Sequence, residues 1–415
     1  MKQDKDIRIG IIGAGPAGLT AAEALINRGY KHVTILEKQT TAGGKCRSFE
    51  YDGRSYELGA GIISINNQTV ASLIKKYNIK TQSIDFSRPS LLIDGHTYRA
   101  LPVPTTTQKI QQLYQGLKYI ALIRKYKRIQ EPGFTKVHSD LCAPFTHWAK
   151  QHNATVLIKE FSKFFTGFGY DFLESVPAAY ALKYFSPATL FAFLRGKVYT
   201  FPNGIQHLWT EVAKHHDVRY NMKIQHIKRD STIHITTEHA LFECDKLIVT
   251  SPLDEALKFI DASTEEQELF SNIQYCDYSV TTCHITNFPK HEAGYLPDNF
   301  HASRKGQPIF WYHRYAETDL YNFYTLSDAS ISDDTIQQNI NSLIKALGGN
   351  VKKSEPILHW KYFPHVTGEQ MQNGYYDRLE KLQSQNNTYY AGELHNFSMI
   401  EQSAAYAKDL VERYF

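Results

Sequence analysis

The first thirty-seven residues leave this chain few folds. IRIGII (Ile7 to Ile12) is an unbroken apolar run, as in a strand buried on both faces of a parallel sheet. It enters Gly13-Ala14-Gly15-Pro16-Ala17-Gly18, which satisfies G-x-G-x-x-G, and Ala17 to Arg28 then reads as an Ala- and Leu-rich helix ended by Gly29. HVTILE (His32 to Glu37) reads as a second strand, so the unit is βαβ and right-handed if both strands share a sheet. Each glycine has a task. Gly13 permits the tight turn, Gly15 lets the backbone approach a pyrophosphate, and Gly18 lets helix and strand pack closely. The helix N-terminus offers free N–H groups and a positive dipole end to the phosphates. Glu37 closes the second strand where ribose hydroxyls need an acceptor, and Lys38 follows it. A glycine turn alone says little. Between a strand and a helix, with the acid in place, it reads as a dinucleotide fingerprint.

The chain, at 415 residues, exceeds one small core, so two lobes are expected. Apolar spacing at Ile110, Leu113, Leu117, Ile120 and Ile123 predicts a long helix from about Gln108 to Gln130. Val218 to Ser251 turns to strand texture in MKIQHIKRD, STIHITTE and DKLIVTSP, the last resembling a parallel strand returning to the first sheet. Residues 276–365 mix strands (YSVTTCHI, PIFWYHRY, NFYTLS, ILHWKYF) with a helix near Thr335 to Leu347. TYYAGE and a helix from about Glu401 to Tyr414 close the chain. The expected organisation is α/β: a discontinuous Rossmann-type domain from 1–75, 202–255 and 386–415, a helical cap or lid over 76–201, and a substrate-binding sheet domain over 256–385. Gly167-Phe168-Gly169 lacks a third glycine and a βαβ context, so no second nucleotide site is expected.

Composition narrows the partner. A formal net charge of +4 gives no reason to expect nucleic acid. Aromatic residues make up 13% of the chain, which suits an apolar cavity as well as a large core. The five cysteines form no C-x-x-C pair and the 18 histidines show no ligand spacing, so no metal site is read. With no apolar leader ahead of the first strand and no run of about 18 apolar residues, a cytoplasmic protein is expected. The span 108–130 carries Lys109, Lys118, Arg124, Lys125, Lys127 and Arg128 and no acid. That pattern suits a solvated face or peripheral contact with an anionic membrane.

Beyond the fingerprint, Gly43-Gly44-Lys45-Cys46-Arg47-Ser48 and Tyr56-Glu57-Leu58-Gly59-Ala60-Gly61 resemble the second and third signatures of the flavin amine oxidase-like superfamily. Ala391-Gly392-Glu393 resembles its final motif, which extends to Met399, and Ile224 matches the place where its backbone meets adenine. The resemblance implies FAD, with Glu393 at the ribityl chain and Gly59, Ala60 and Gly61 passing the flavin ring. The strand Tyr278 to Ile285 carries no lysine where many amine oxidases place one, and the C-terminal motif has no cysteine, so the flavin is expected to be non-covalent. Tyr375 and Tyr376 follow Gly374 where amine oxidases set an aromatic against the flavin. Packing aromatics are the commoner outcome there.

Further stretches are similar to the bacterial polyunsaturated fatty acid isomerases that form conjugated linoleic acid. They are KVHSDLCAPF (Lys136 to Phe145), FTGFGYDFLESVPAAYALKYF (Phe165 to Phe185), YHRYAE (Tyr312 to Glu317), YFPHV (Tyr362 to Val366) and NTYYAGE (Asn387 to Glu393). The resemblance implies hydride removal by flavin N5 from the carbon between two cis double bonds and its return to another carbon, with no net redox change. It places Arg88 at the substrate carboxylate and Phe193 over the fatty chain near the entrance. Ser87 departs from the family, which has a second basic residue there. Surface exposure of Arg88 and ordinary packing of Phe193 are the plain alternatives. Two enzyme readings stand at this level: a double-bond isomerase, and an FAD oxidase or dehydrogenase desaturating a small metabolite or amine. A flavin-binding scaffold without catalysis is a third.

Overall fold

The computed structural model describes residues 4–64, 68–84, 90–94, 97–100, 105–194 and 198–415. The fingerprint folds as its pattern requires. Strand β1 (Arg8–Ile12), helix α1 (Pro16–Asn27) and strand β2 (His32–Leu36) form the βαβ unit, with Pro16 in the first helical turn, where its missing N–H is not needed. A five-stranded parallel sheet grows from it in the spatial order Asp217–Arg219, β2, β1, Lys246–Val249, Thr388–Tyr390. The strands come from three distant stretches of sequence. The C-terminal helix, Ile400–Tyr414, packs along α1, and Leu19, Leu25, Ala404, Leu410 and Val411 are buried between the elements of this layer. Each such leucine or valine side chain contributes roughly 1.5–3 kcal/mol.

A three-stranded antiparallel sheet (Ile224–Arg229, Ile233–Thr237, Leu241–Cys244) covers the other side, where Gly10 of β1 lets Cys244 approach closely. The third of these strands, LFEC, carries a weak strand signal. Its exposed Leu241 and Glu243 interrupt the apolar alternation.

The second lobe is an eight-stranded, mainly antiparallel sheet centred on Gln274–Thr286. That strand pairs with Leu320–Ser327 on one side and with both Asn350–Ser354 and Leu358–His365 on the other. Its far edge departs from the expected boundaries. The hairpin Leu91–Asp94 and Thr97–Ala100 joins this sheet through Ala293–Tyr295, so 76–201 is not wholly a helical cap. The rest of that span does carry helices, packed around Phe145, Trp148, Phe161, Phe165 and Phe185.

The long helix expected over 108–130 is corrected to Thr106–Ile123, followed by a tighter 3-10 segment at Arg124–Gln130. Tyr126 breaks the helical path at φ −112°, ψ 41°. Its ring turns inward edge-on to Trp148, and its hydroxyl donates to Asp140. Burial of one tyrosine outweighs continuation of the helix.

Candidate active site

The glycine turn brings backbone to backbone. A Cβ on Gly18 would stand 2.0 Å from the Gly13 carbonyl oxygen, so only glycine lets α1 dock against the turn. Gly13 itself sits at φ +102°. Gly15 and Gly44 face each other, a Cβ on Gly44 falling 3.3 Å from the Gly15 Cα, so two glycine backbones flank the N-terminus of α1. No acidic residue occupies the first turn of that helix. Ala17 is buried behind it.

Glu37 is buried at the end of β2 and accepts from two backbone N–H groups, Ala14 at 2.7 Å through Oε2 and Gln39 at 2.8 Å through Oε1. Lys38 beside it is exposed. The N–H of Met222 donates to the Glu37 carbonyl and that of Asn221 to Gln39, which draws the start of the Ile224 strand alongside the acid. The second and fourth signatures meet elsewhere on the same surface. Lys45 Nζ pairs with Glu393 at 2.8 Å, both side chains about one quarter exposed. Gly392, at φ +129°, turns the chain from the last strand into Glu393. Met399 stands at the N-cap of the C-terminal helix.

The third signature is held by the sheet lobe. Gly59 lies against the backbone of Lys45 and Gly61 against the side chain of Glu57, with Ala60 partly exposed between them. Trp360 Nε1 donates to the Leu58 carbonyl at 2.6 Å, and Asn322 Nδ2 donates to the Glu57 carbonyl at 3.0 Å. Arg314 pairs with the Glu57 carboxylate at 3.1 Å and donates to the Phe201 carbonyl at 2.6 Å. Ser48 and the N–H of Ile205 complete the shell of Glu57. Burial still raises its carboxyl above the usual range against the pull of these partners. Trp360, Asn322, Arg314 and Glu57 carry no role in the sequence reading. Arg314 lies in the stretch YHRYAE, so similarity flagged the segment without revealing what its arginine holds.

From Lys45 an aromatic wall runs through the sheet lobe. Lys45 Nζ stands 5.4 Å from the ring centre of Tyr362. Tyr362 stacks on Tyr170 and on Tyr278, both at 5.5 Å, and Tyr278 stacks on Tyr324 at 5.6 Å. Phe310 and Tyr295 continue it at 5.4 and 5.0 Å. Burial pushes the phenols of Tyr170, Tyr278, Tyr295, Tyr324 and Tyr362 above their ordinary value, so the wall stays uncharged.

Two of the substrate positions named from resemblance, Arg88 and the side chain of Phe193, lie outside the described residues. The backbone of Phe193 belongs to the helix Pro187–Leu194. Tyr375 is buried and its hydroxyl donates to the Leu269 carbonyl at 2.8 Å, while Tyr376 shares a hydrogen bond of 2.7 Å with Tyr180. Both hydroxyls are thus engaged by protein groups.

Two buried hydroxyls test the surface for a phosphate-bearing cofactor. Ser251, which follows the strand beside β1 and lies against Gly13, and Ser398, next to the N-cap Met399, have no hydrogen-bond partner among the described residues. Buried hydroxyls seldom go unpaired. Together with the Gly15–Gly44 approach and the Lys45–Glu393 pair, they fit an elongated polar ligand.

Comparison with known proteins identifies that ligand. The flavin containing amine oxidoreductase family matches residues 16–403. The structure matches the crystal structure of the CLA-producing fatty acid isomerase from P. acnes over 100% of both chains, with a TM-score of 0.93 and 32% identity. Putrescine oxidase bound to putrescine shares the fold over 98% of each chain at a TM-score of 0.70 and 15% identity. The FAD-dependent oxidoreductase oblC of Cochliobolus heterostrophus is 24% identical over 94% of this chain and 88% of its own. The chain therefore belongs to the flavin containing amine oxidoreductase family, takes FAD as its cofactor, and is similar along its whole length to a fatty acid isomerase.

Proposed function

We propose that this enzyme moves a double bond within a polyunsaturated fatty acid. The observation that carries the reading is the match to the P. acnes isomerase at 32% identity over all of both chains, which includes the sheet lobe and the helices between the lobes. Bound FAD supplies an acceptor, and then a donor, for one hydride.

The protein's own part is binding, orientation and exclusion of water. In this reading Gly13, Gly15, Pro16, Ala17 and Gly18 hold the pyrophosphate against α1, with Ser251 and Ser398 as the unpaired hydroxyls beside it. Glu37, followed by Lys38, takes the ribose, and the Ile224 backbone meets the adenine. Gly44, Lys45, Gly59, Ala60 and Gly61 border the flavin ring, and Gly392, Glu393 and Met399 border the ribityl chain. The uncharged wall from Tyr362 to Tyr295 suits an alkenyl chain better than a free amine. Arg88 is assigned to the carboxylate and Phe193 to the chain near the entrance, with Tyr375 supporting the pocket from behind. No helix among the described residues is long and apolar enough to cross a membrane.

Oxidation of a small metabolite or amine is the second reading, favoured by the oxidoreductase oblC. Linoleic acid deuterated at the methylene between its double bonds separates the two. An isomerase returns the label to a new carbon of a conjugated product. Label lost to solvent or peroxide, with an oxidised product, overturns the proposal.

A further inference from the structure

The helix Thr106–Ile123 is apolar on two sides, and only one of them is buried among the described residues. Tyr119 and Ile123 are buried, and the Tyr119 hydroxyl donates to the Phe185 carbonyl at 3.0 Å. On the opposite side Ile110, Leu113, Tyr114 and Leu117 are 57–64% exposed. At about 100° per residue these four fall within an arc of roughly 100°, the width of a stripe that ordinarily faces a core. Ala121, one turn further on, is exposed on the same line. Four half-bare large side chains in one stripe make a patch of roughly 400 Å², which monomeric proteins seldom leave to water without use.

The helix holds its shape without packing there. Thr105 and Gln108 form a reciprocal capping box, so the projecting first turns are fixed locally. Lys109 and Lys118 stand just outside the two edges of the stripe; the Lys118 ammonium donates to the Asn153 carbonyl at 2.9 Å, whereas the long side chain of Lys109 can lie along an apolar surface with its ammonium group in a polar layer. The segment 106–130 contains six lysines and arginines and no aspartate or glutamate. Lys125 pairs with Asp140, and Arg128 with Glu131, but Lys109, Arg124 and Lys127 have no ion pair among the described residues.

From this face we infer that the helix Thr106–Ile123 seats the enzyme on the surface of a bilayer containing anionic lipid. The stripe would enter the boundary between headgroups and acyl chains, and the flanking cations would meet lipid phosphates. Charge argues against a second copy in the same place, because pairing through this face would bring two acid-free basic segments together. The inference stands on the helix and does not depend on the identity of the substrate.

The test is sedimentation of the FAD-loaded full chain with vesicles of phosphatidylcholine, with and without phosphatidylglycerol. Binding should be at least tenfold stronger to the phosphatidylglycerol vesicles and fall as salt rises. Leu113→Glu/Leu117→Glu, two exposed positions, should weaken it at least tenfold while circular dichroism and bound flavin stay unchanged. Should that variant fail to fold, Leu113→Ser/Leu117→Ser carries the same comparison. The inference is overturned if the wild-type chain ignores the anionic vesicles or if the folded variant binds them equally well. It is also overturned if light scattering finds a dimer that the variant dissolves, since a second copy would then cover the stripe.

Discussion

Lys45 and Glu393 lie 348 positions apart in the chain and meet in an ion pair of 2.8 Å. One belongs to the glycine-rich stretch after Glu37 and the other to the turn after the last parallel strand, so the pair joins two of the four signatures. Glu393→Gln keeps the shape and removes the charge. A charge-assisted hydrogen bond contributes about 1.5–3 kcal/mol, so FAD should bind the variant roughly 10- to 100-fold more weakly. Titration of the apoprotein followed by flavin fluorescence checks this.

Gly18→Ala should fail at an earlier step. The added methyl meets the Gly13 carbonyl oxygen at 2.0 Å, a backbone atom that cannot move without shifting the turn. Overpacking of this kind costs about 1–3 kcal/mol, and displacement of α1 also spoils the surface beside Gly15. Chemical denaturation should show the lower stability, and the purified variant should be nearly colourless.

The ion pair of Arg314 with Glu57 ties the sheet lobe to the segment leading into Gly59, and both side chains are less than one tenth exposed. Arg314→Met leaves a buried carboxyl without its cation, at a cost of roughly 3–5 kcal/mol. Glu57→Gln/Arg314→Met should recover much of that loss, because no unpaired charge remains. A double-mutant cycle in urea measures both quantities.

Acid should weaken the fold through His395. Its ring packs on Tyr406, Nε2 has no partner among the described residues, and burial pushes its pKa down to about 3. An unfolded histidine titrates near 6.5, so between about pH 6.5 and pH 3 the unfolded chain takes up the proton and the native one does not. Stability present above pH 6.5 is therefore lost as pH falls through this window, at up to about 1.4 kcal/mol per pH unit for this one group. His395→Phe should flatten that slope in denaturation curves collected across the window.

The cofactor half was legible because its chemistry is done by backbone. Gly13, Gly15 and Gly18 are needed wherever a helix must approach a turn closely, and the apolar runs Ile7–Ile12 and Lys246–Val249 can hardly be anything but buried parallel strands. The sheet lobe was less legible. Tyr278, Tyr324 and Tyr362 sit in strands whose sequences read as ordinary sheet core, and only the pairing of Gln274–Thr286 with two neighbours stacks them into a wall. The same holds for Trp360 and Arg314, whose partners, the carbonyls of Leu58 and Phe201 and the carboxylate of Glu57, are distant in sequence. The end of the long helix is hidden in the sequence because basic charge continues past Ile123, whereas the inward turn of Tyr126 depends on Trp148 and Asp140.

The account is tested most directly by mixing the flavin-loaded enzyme with linoleic acid in the absence of oxygen while following conjugated-diene absorbance and the flavin spectrum together. Diene should accumulate over many turnovers, with the flavin oxidised at the end. Bleaching of the flavin after a single turnover, with colour restored only by air, would contradict an internal return of the hydride and identify an oxidase.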